Sequence, residues 1–229
     1  MQNSKELYDA LVTSVTRKVP GFKVRFKDEC WTQKVVAVLV WIFNRTYMTR
    51  YTTTLYPTVY WPSRKALEGD YLHAFRTLAH EYVHLWDRQY RGWVDFNSSY
   101  LGPQLYCLLA LGALGAFWRL WMLACLIFLP LAYPWPSRGR TSLELRGFSM
   151  SVAVAVWLYG AATEDAKQSM VSRFTGWDYY RMWPQALEIR VQLDAAEASA
   201  RDLTLLKGDE GAPFREVYAL LKTAGALKE

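Results

Sequence analysis

From Leu101 to Pro136 the chain carries a single charged residue, Arg119, and that stretch constrains everything else about the fold. One spanning helix would use about 20 of these residues and leave the rest without a place. It would also put the segments on its two sides across a bilayer from each other. A helical hairpin turning near Trp118 and Arg119, with arms 101–118 and 120–136, accounts for the whole stretch. At the α-helical rise each arm reaches about 25 to 27 Å, just short of a hydrocarbon core of about 30 Å. That length leaves three placements open: a full hairpin in a thin membrane, a re-entrant wedge, or a pair of helices buried against protein. Arg88, Arg91, Arg138 and Arg140 flank the base of the hairpin, against one arginine at its tip. If a bilayer is involved, that asymmetry puts the base and the remainder of the chain on the cytoplasmic side. Trp93, Tyr100, Trp118, Trp121, Tyr133 and Trp135 girdle the segment. Such aromatics fit interfacial anchoring or a hydrophobic protein–protein interface.

The sequence before the hairpin alternates between helix and strand patterns. Leu7, Leu11 and Val15 recur at helical spacing up to Lys18, and Pro20-Gly21 ends that helix. Phe22, Val24 and Phe26 alternate with basic residues, as in a half-buried strand. CWTQKVVAVLVWIFNR, residues 30–45, has the β-branched content of a strand and the length of a helix, and reads as helix. RYTTTLYPTVYWPS, residues 50–63, is strand material. Pro57 cannot donate to a ladder, so it forms an edge strand or two strands with a bulge. A helix from about Lys65 or Asp70 to Arg91 follows.

Beyond the hairpin, helices are expected from Thr141 to Tyr159 with Thr141 or Ser142 as cap, and from Thr163 with acids in the first turn. The segment 185–229 reads as an Ala- and Leu-rich helix, a Gly-Asp-Glu-Gly break, and a last helix over 213–224. Phe214, Val217, Tyr218 and Leu221 share one face of that last helix. The fold class is therefore α+β and mainly helical, with a small antiparallel edge-strand region. One domain over 1–229 carries the inserted hairpin 101–136 and a C-terminal helical segment 185–229.

Three cysteines, Cys30, Cys107 and Cys125, are odd in number and widely spaced. They form neither a disulfide framework nor a ligand pair, which fits a reducing compartment. The formal charge of +6 is not gathered into a basic arm or run, so no nucleic-acid partner is expected. Residues 1–15 contain acids and no unbroken apolar core, so no secretory signal peptide is expected. The expected location is the cytoplasmic face of a membrane or the inside of a large protein assembly. The expected partner of 101–136 is accordingly a membrane or a hydrophobic protein.

Chemistry concentrates just ahead of the hairpin. In RTLAHEYVHLWDR, residues 76–88, His80 and His84 stand at i and i+4 on one helical face, so both imidazoles can reach one metal ion. Glu81 lies one position round the helix, where it can accept a proton without ligating the metal. Zinc needs a third protein ligand and an open position. The remaining histidine, His73, reads as a surface or capping residue. The third ligand is then a carboxylate. Asp87 would have to bend back along its own helix, and Glu164 and Asp165 sit in a first turn where the helix dipole explains them. Glu144 stands in a mostly apolar helix, where a carboxylate is costly unless paired or liganded, and Gly147 one turn on permits close approach. Glu144 is the candidate ligand, with an ion pair to Arg146 or another arginine as the alternative. Tyr180, in the aromatic stretch before Pro184, is the candidate donor to a developing oxyanion.

On the strength of HEYVH (80–84) and ELRG (144–147), the chain resembles the zincin metallopeptidases in their gluzincin arrangement. The hairpin between these motifs is similar to the membrane-associated enzymes of the CAAX-protease and heat-shock-protease kind. The resemblance implies one Zn²⁺ held by His80, His84 and Glu144, with Glu81 as general base. It also implies that 51–60 is the edge strand that binds an extended peptide or protein substrate. The implied function is a zinc-dependent endopeptidase that uses a metal-activated water. The alternative is a structural or membrane-inserting component of an assembly that keeps a zincin fold without turnover.

Overall fold

The computed structural model describes residues 4–40, 45–132, 136–176 and 181–228. Its frame is helical. α1 (Ser4–Lys18) packs its Leu7, Leu11 and Val15 stripe against α5 (Tyr71–Arg91), the helix that carries HEYVH. Asp70 starts α5 by accepting from the N–H groups of Leu72 and His73, at 3.0 and 2.9 Å. This cap satisfies two of the free amides at the helix start. α7 (Arg138–Tyr159), which carries Glu144, lies across α5, and its other side is covered by α9 (Ala186–Arg201). α8 (Glu164–Thr175) begins at the Thr163 cap, and α10 (Ala212–Thr223) buries Phe214, Val217 and Leu221. A continuous apolar cluster runs from Leu7 through Phe75, Leu78 and Met150 to Leu221.

The strands form a small mixed sheet in the order β1-β3-β2 among the described residues. β1 (Lys23–Phe26) runs parallel to β3 (Thr58–Trp61), and β2 (Thr53–Leu55) runs antiparallel to it. The 50–63 segment is two strands, as one of the two expected arrangements has it, but no bulge joins them. Tyr56 and Pro57 form the corner, where a residue without an N–H costs no ladder bond. β3 is central rather than an edge: its Thr58, Val59 and Trp61 are buried, and β2 holds the outer edge. α2 (Trp31–Val40), α3 (Tyr47–Arg50) and α4 (Arg64–Glu68) connect these pieces. Residues 30–45 are thus helical as expected, over the part described.

α7 begins three residues earlier than expected, at Arg138. Its cap is accordingly Ser137, whose Oγ accepts from the Arg140 N–H at 3.4 Å, and Thr141 and Ser142 lie inside the helix. α6 (Trp93–Leu101) follows α5 through Gly92, whose φ of +84° suits glycine. The hairpin turns at Trp118–Arg119 as expected. Its arms, Gly102–Phe117 and Leu120–Ala132, wind as 3₁₀ rather than α-helix. A 3₁₀ helix rises about 2.0 Å per residue, so the first arm reaches farther than the α-helical estimate and the shorter second arm matches it. Residues three apart eclipse in this winding, which lines up Gly112 and Gly115 against Cys125 and Met122 of the second arm. Among the described residues no single helix is long and apolar enough to cross a membrane by residue count. Trp93–Leu101 and Tyr106–Phe117 are so together, bent by 84°.

Candidate metal centre

α5 and α7 bring three side chains to one point. Nε2 of His84 and Nε2 of His80 are 3.1 Å apart, and Glu144 Oε2 lies 3.6 Å from His80 Nε2 and 3.7 Å from His84 Nε2. The ligand atoms of all three lie within 4.8 Å of one another. Zinc ligands at about 2.0–2.1 Å in a tetrahedral shell stand about 3.3 Å from each other, so the spacing and the N,N,O donor set both fit that ion. His80 is slightly exposed, while His84 and Glu144 are buried. The cluster therefore opens to solvent on the His80 side.

Gly147 makes this approach feasible. A Cβ there would lie 2.6 Å from both Cε1 and Nε2 of His80, well inside contact distance. Any side chain at 147 would thus occupy the space the imidazole needs. The other face of the His80 ring meets Phe148 edge-on, with centroids 4.8 Å apart. Ser151, one turn past Gly147, sets the tautomer. Its hydroxyl donates to the Gly147 carbonyl at 3.4 Å and lies 3.3 Å from His80 Nδ1. With the hydroxyl proton so used, Nδ1–H of His80 donates to Ser151 and the Nε2 lone pair faces the cluster.

Glu144 is oriented by Tyr100, at the end of α6. The phenol donates to Oε1 at 2.6 Å and leaves Oε2 turned toward the histidines. Arg140 donates from Nε to the Tyr100 carbonyl at 2.8 Å, which fixes α6 against the start of α7. Arg146 does not pair with Glu144. Its guanidinium forks onto Asp87, with Nη2 2.9 Å from Oδ1 and Nε 3.0 Å from Oδ2. The alternative reading of Glu144 as half of an arginine pair therefore fails for Arg146. Asp87, unable to bend back toward the cluster, instead ties α5 to α7 one turn beyond it.

The charges in the metal-free cluster follow from these distances. Burial alone pushes the His84 ring down, but the carboxylate of Glu144 outweighs it and lifts the pKa to about 9. Burial likewise pushes Glu144 up, and the two imidazoles outweigh it, holding the carboxyl well below the usual carboxylate range. His84 Nδ1 is buried without a hydrogen-bond partner among the described residues.

Glu81, beside this cluster on α5, is buried and accepts a hydrogen bond from Thr54 Oγ1 at 2.6 Å. Thr54 belongs to β2, so the outer strand of the sheet reaches the motif helix at the carboxylate itself. His73 is exposed and sits in the first turn of α5, as expected of a surface histidine. Tyr180 lies outside the described residues, as does Tyr179.

Three contributors escaped the sequence reading in these roles: Tyr100, Thr54 and Ser151. Tyr100 stood out only as an aromatic near the hairpin. Ser151 lies at i+4 from Gly147 on the face that meets His80, a position from which its role could have been inferred once Glu144 was chosen. No family model, curated protein sequence or solved structure matches the chain.

Proposed function

We propose that this chain is a zinc-dependent endopeptidase that holds its metal through His80, His84 and Glu144. One observation carries the reading: the ligand atoms of three residues from two helices converge within 4.8 Å, with a buried carboxylate, Glu81, next to the first of them in sequence. Zinc, when bound, supplies a Lewis acid that acidifies water and polarises a peptide carbonyl. The chain's own residues do the rest. Glu81 takes the proton of the attacking water and passes it to the leaving amine. The Thr54 hydroxyl, donating to Oε2, fixes the rotamer from which Glu81 does so and leaves Oε1 for the proton. Ser151 and Tyr100 hold His80 and Glu144 in their ligating orientations.

The substrate is an extended peptide segment added to the outer edge of β2. A strand there gains main-chain hydrogen bonds from the sheet, and Thr54 links that same strand to Glu81. The test pairs metal content with cleavage. In Glu81→Gln, zinc stoichiometry stays at the parental value while cleavage of a peptide library falls by about 10³-fold or more. Cleavage at the parental rate in that variant sinks the mechanism.

A further inference from the structure

The hairpin is apolar on its outside as well as between its arms, and among the described residues its outer side chains stay exposed. In the 3₁₀ winding each arm presents three columns of residues. One column of each arm faces the other arm: Gly112 and Gly115 meet Cys125 and Met122. Of the outward columns, Leu108, Leu111, Leu114 and Phe117 on the first arm are all exposed, Phe117 to 96%. On the second arm Leu120, Leu123, Leu126 and Leu129 form one exposed column, and Trp121 and Ile127 open a second. Soluble proteins rarely leave a continuous apolar surface of this extent in water.

We propose that the hairpin inserts, tip first, into an anionic lipid bilayer and holds the metal centre at its surface. Three observations select lipid over a protein groove or a second copy. A groove or a twofold partner covers one face of a helix pair, whereas these arms expose large apolar side chains on several, a demand met by a solvent of acyl chains. The residues at the two ends are of the interfacial kind. Trp118, Arg119 and Trp121 form the tip, and the exposed Trp93 of α6 stands toward the base, each with a polar head or indole that seeks the headgroup level. Arg88, Arg91 and Arg138 flank the base in sequence. Arg91 pairs with Asp95 at 3.9 Å, and Arg88 and Arg138 lie over the rings of Tyr56 and Trp183. That leaves a net positive charge there, on a chain of net charge +6, complementary to anionic headgroups. The helical winding of the arms pairs most of their backbone groups internally, as hydrocarbon requires, with Pro130 the one helix-interior position that has no N–H to give. The 3₁₀ rise gives them a reach of about 26 to 32 Å, comparable to the thickness of the hydrocarbon core.

Bilayer binding does not depend on zinc or turnover, so its failure is distinguishable from failure of the peptidase reading. The test is flotation of the full chain with vesicles of phosphatidylcholine and phosphatidylglycerol. The protein rises with the vesicles and stays with them through a high-salt wash. Leu114→Asp/Ile127→Asp, which puts a carboxylate on each arm, lowers the bound fraction at least about 100-fold and keeps its cooperative thermal transition. Where the double variant fails to fold, Leu111→Asp alone serves the same comparison. Parental protein that stays at the bottom of the gradient overturns the proposal. So does protein stripped by salt, a variant that floats as the parent does, or a lipid-free dimer sealed through the hairpin.

Discussion

The metal centre and the hairpin break the ordinary sorting of residues in opposite directions. Around α5 and α7, ionisable groups that belong in water are buried: Glu81, His84, Asp87 and Glu144 are all shielded. Along 108–129, leucines and tryptophans that belong in a core face outward. Each inversion is tolerated for a different reason. The buried groups have partners at 2.6 to 3.7 Å, so their desolvation is offset by hydrogen bonds and opposite charge. The exposed apolar groups have no such compensation among the described residues. The first region closes on itself around a donor set that could hold an ion, and the second presents an apolar surface to its surroundings.

That contrast can be broken most severely at Glu144. Glu144→Ala removes a ligand and leaves His80, His84 and Tyr100 facing a void. Bound zinc falls by more than about 100-fold in affinity, beyond what loss of an outer partner costs. Undiminished zinc by elemental analysis would move the third ligand elsewhere.

A gentler comparison uses two glycines, one in each region. Helix propensity alone predicts that Gly147→Ala stabilises by about 1 kcal/mol. The new Cβ would instead overlap His80, a ring pinned by Phe148 and Ser151, and overpacking of this kind costs about 1–3 kcal/mol. The net effect is a lower melting temperature and weaker zinc binding. At Gly115 the obstacle is only the flexible end of Met122. Gly115→Ala therefore leaves the stability within about 0.5 kcal/mol of the parent. Equal effects at the two sites would mean that the hairpin is packed as firmly as the metal centre.

A different lever on the same centre is pH. In the metal-free protein the His84 pKa is raised to about 9, so the ring carries a proton at neutral pH that zinc must displace. Apparent zinc affinity rises about tenfold per pH unit up to about 9 and then levels off. The apo protein shows the opposite trend. A raised imidazole pKa stabilises the fold fully below the unfolded value, about 6.5, and that stabilisation is lost as pH rises through about 9. Chelator-buffered zinc titrations beside thermal melts of the apo protein measure both slopes. Affinity independent of pH would show that His84 is neutral before metal arrives.

How much of this was legible in the sequence follows from the range of each signal. HEYVH declares itself because helical geometry fixes what i and i+4 can share. Glu144 declares itself because an acid among apolar neighbours needs a reason, and Gly147 because only a close approach rewards the missing side chain. The hydroxyls of Tyr100 and Thr54 carry no comparable mark. Each lies 44 or 27 residues from its carboxylate, and one of 15 tyrosines cannot be singled out by periodicity. The pairing of Arg146 with Asp87 instead of Glu144 depended on how α5 crosses α7, which no local pattern encodes. The winding of the hairpin arms was equally hidden, since an unbroken apolar run fits an α-helix and a 3₁₀ helix alike.

The two feet of the hairpin touch. A side-chain carbon at Gly102 would lie 2.8 Å from Ser137 Oγ, and one at Gly139 2.5 Å from the Ser99 carbonyl oxygen. The chain thus leaves the body and re-enters it at almost the same spot, a detour with no net displacement. In topological terms the hairpin is a cartridge: a short linker from α6 to Ser137 would close the gap it leaves. The helices that bear His80, His84 and Glu144 meet without any help from it.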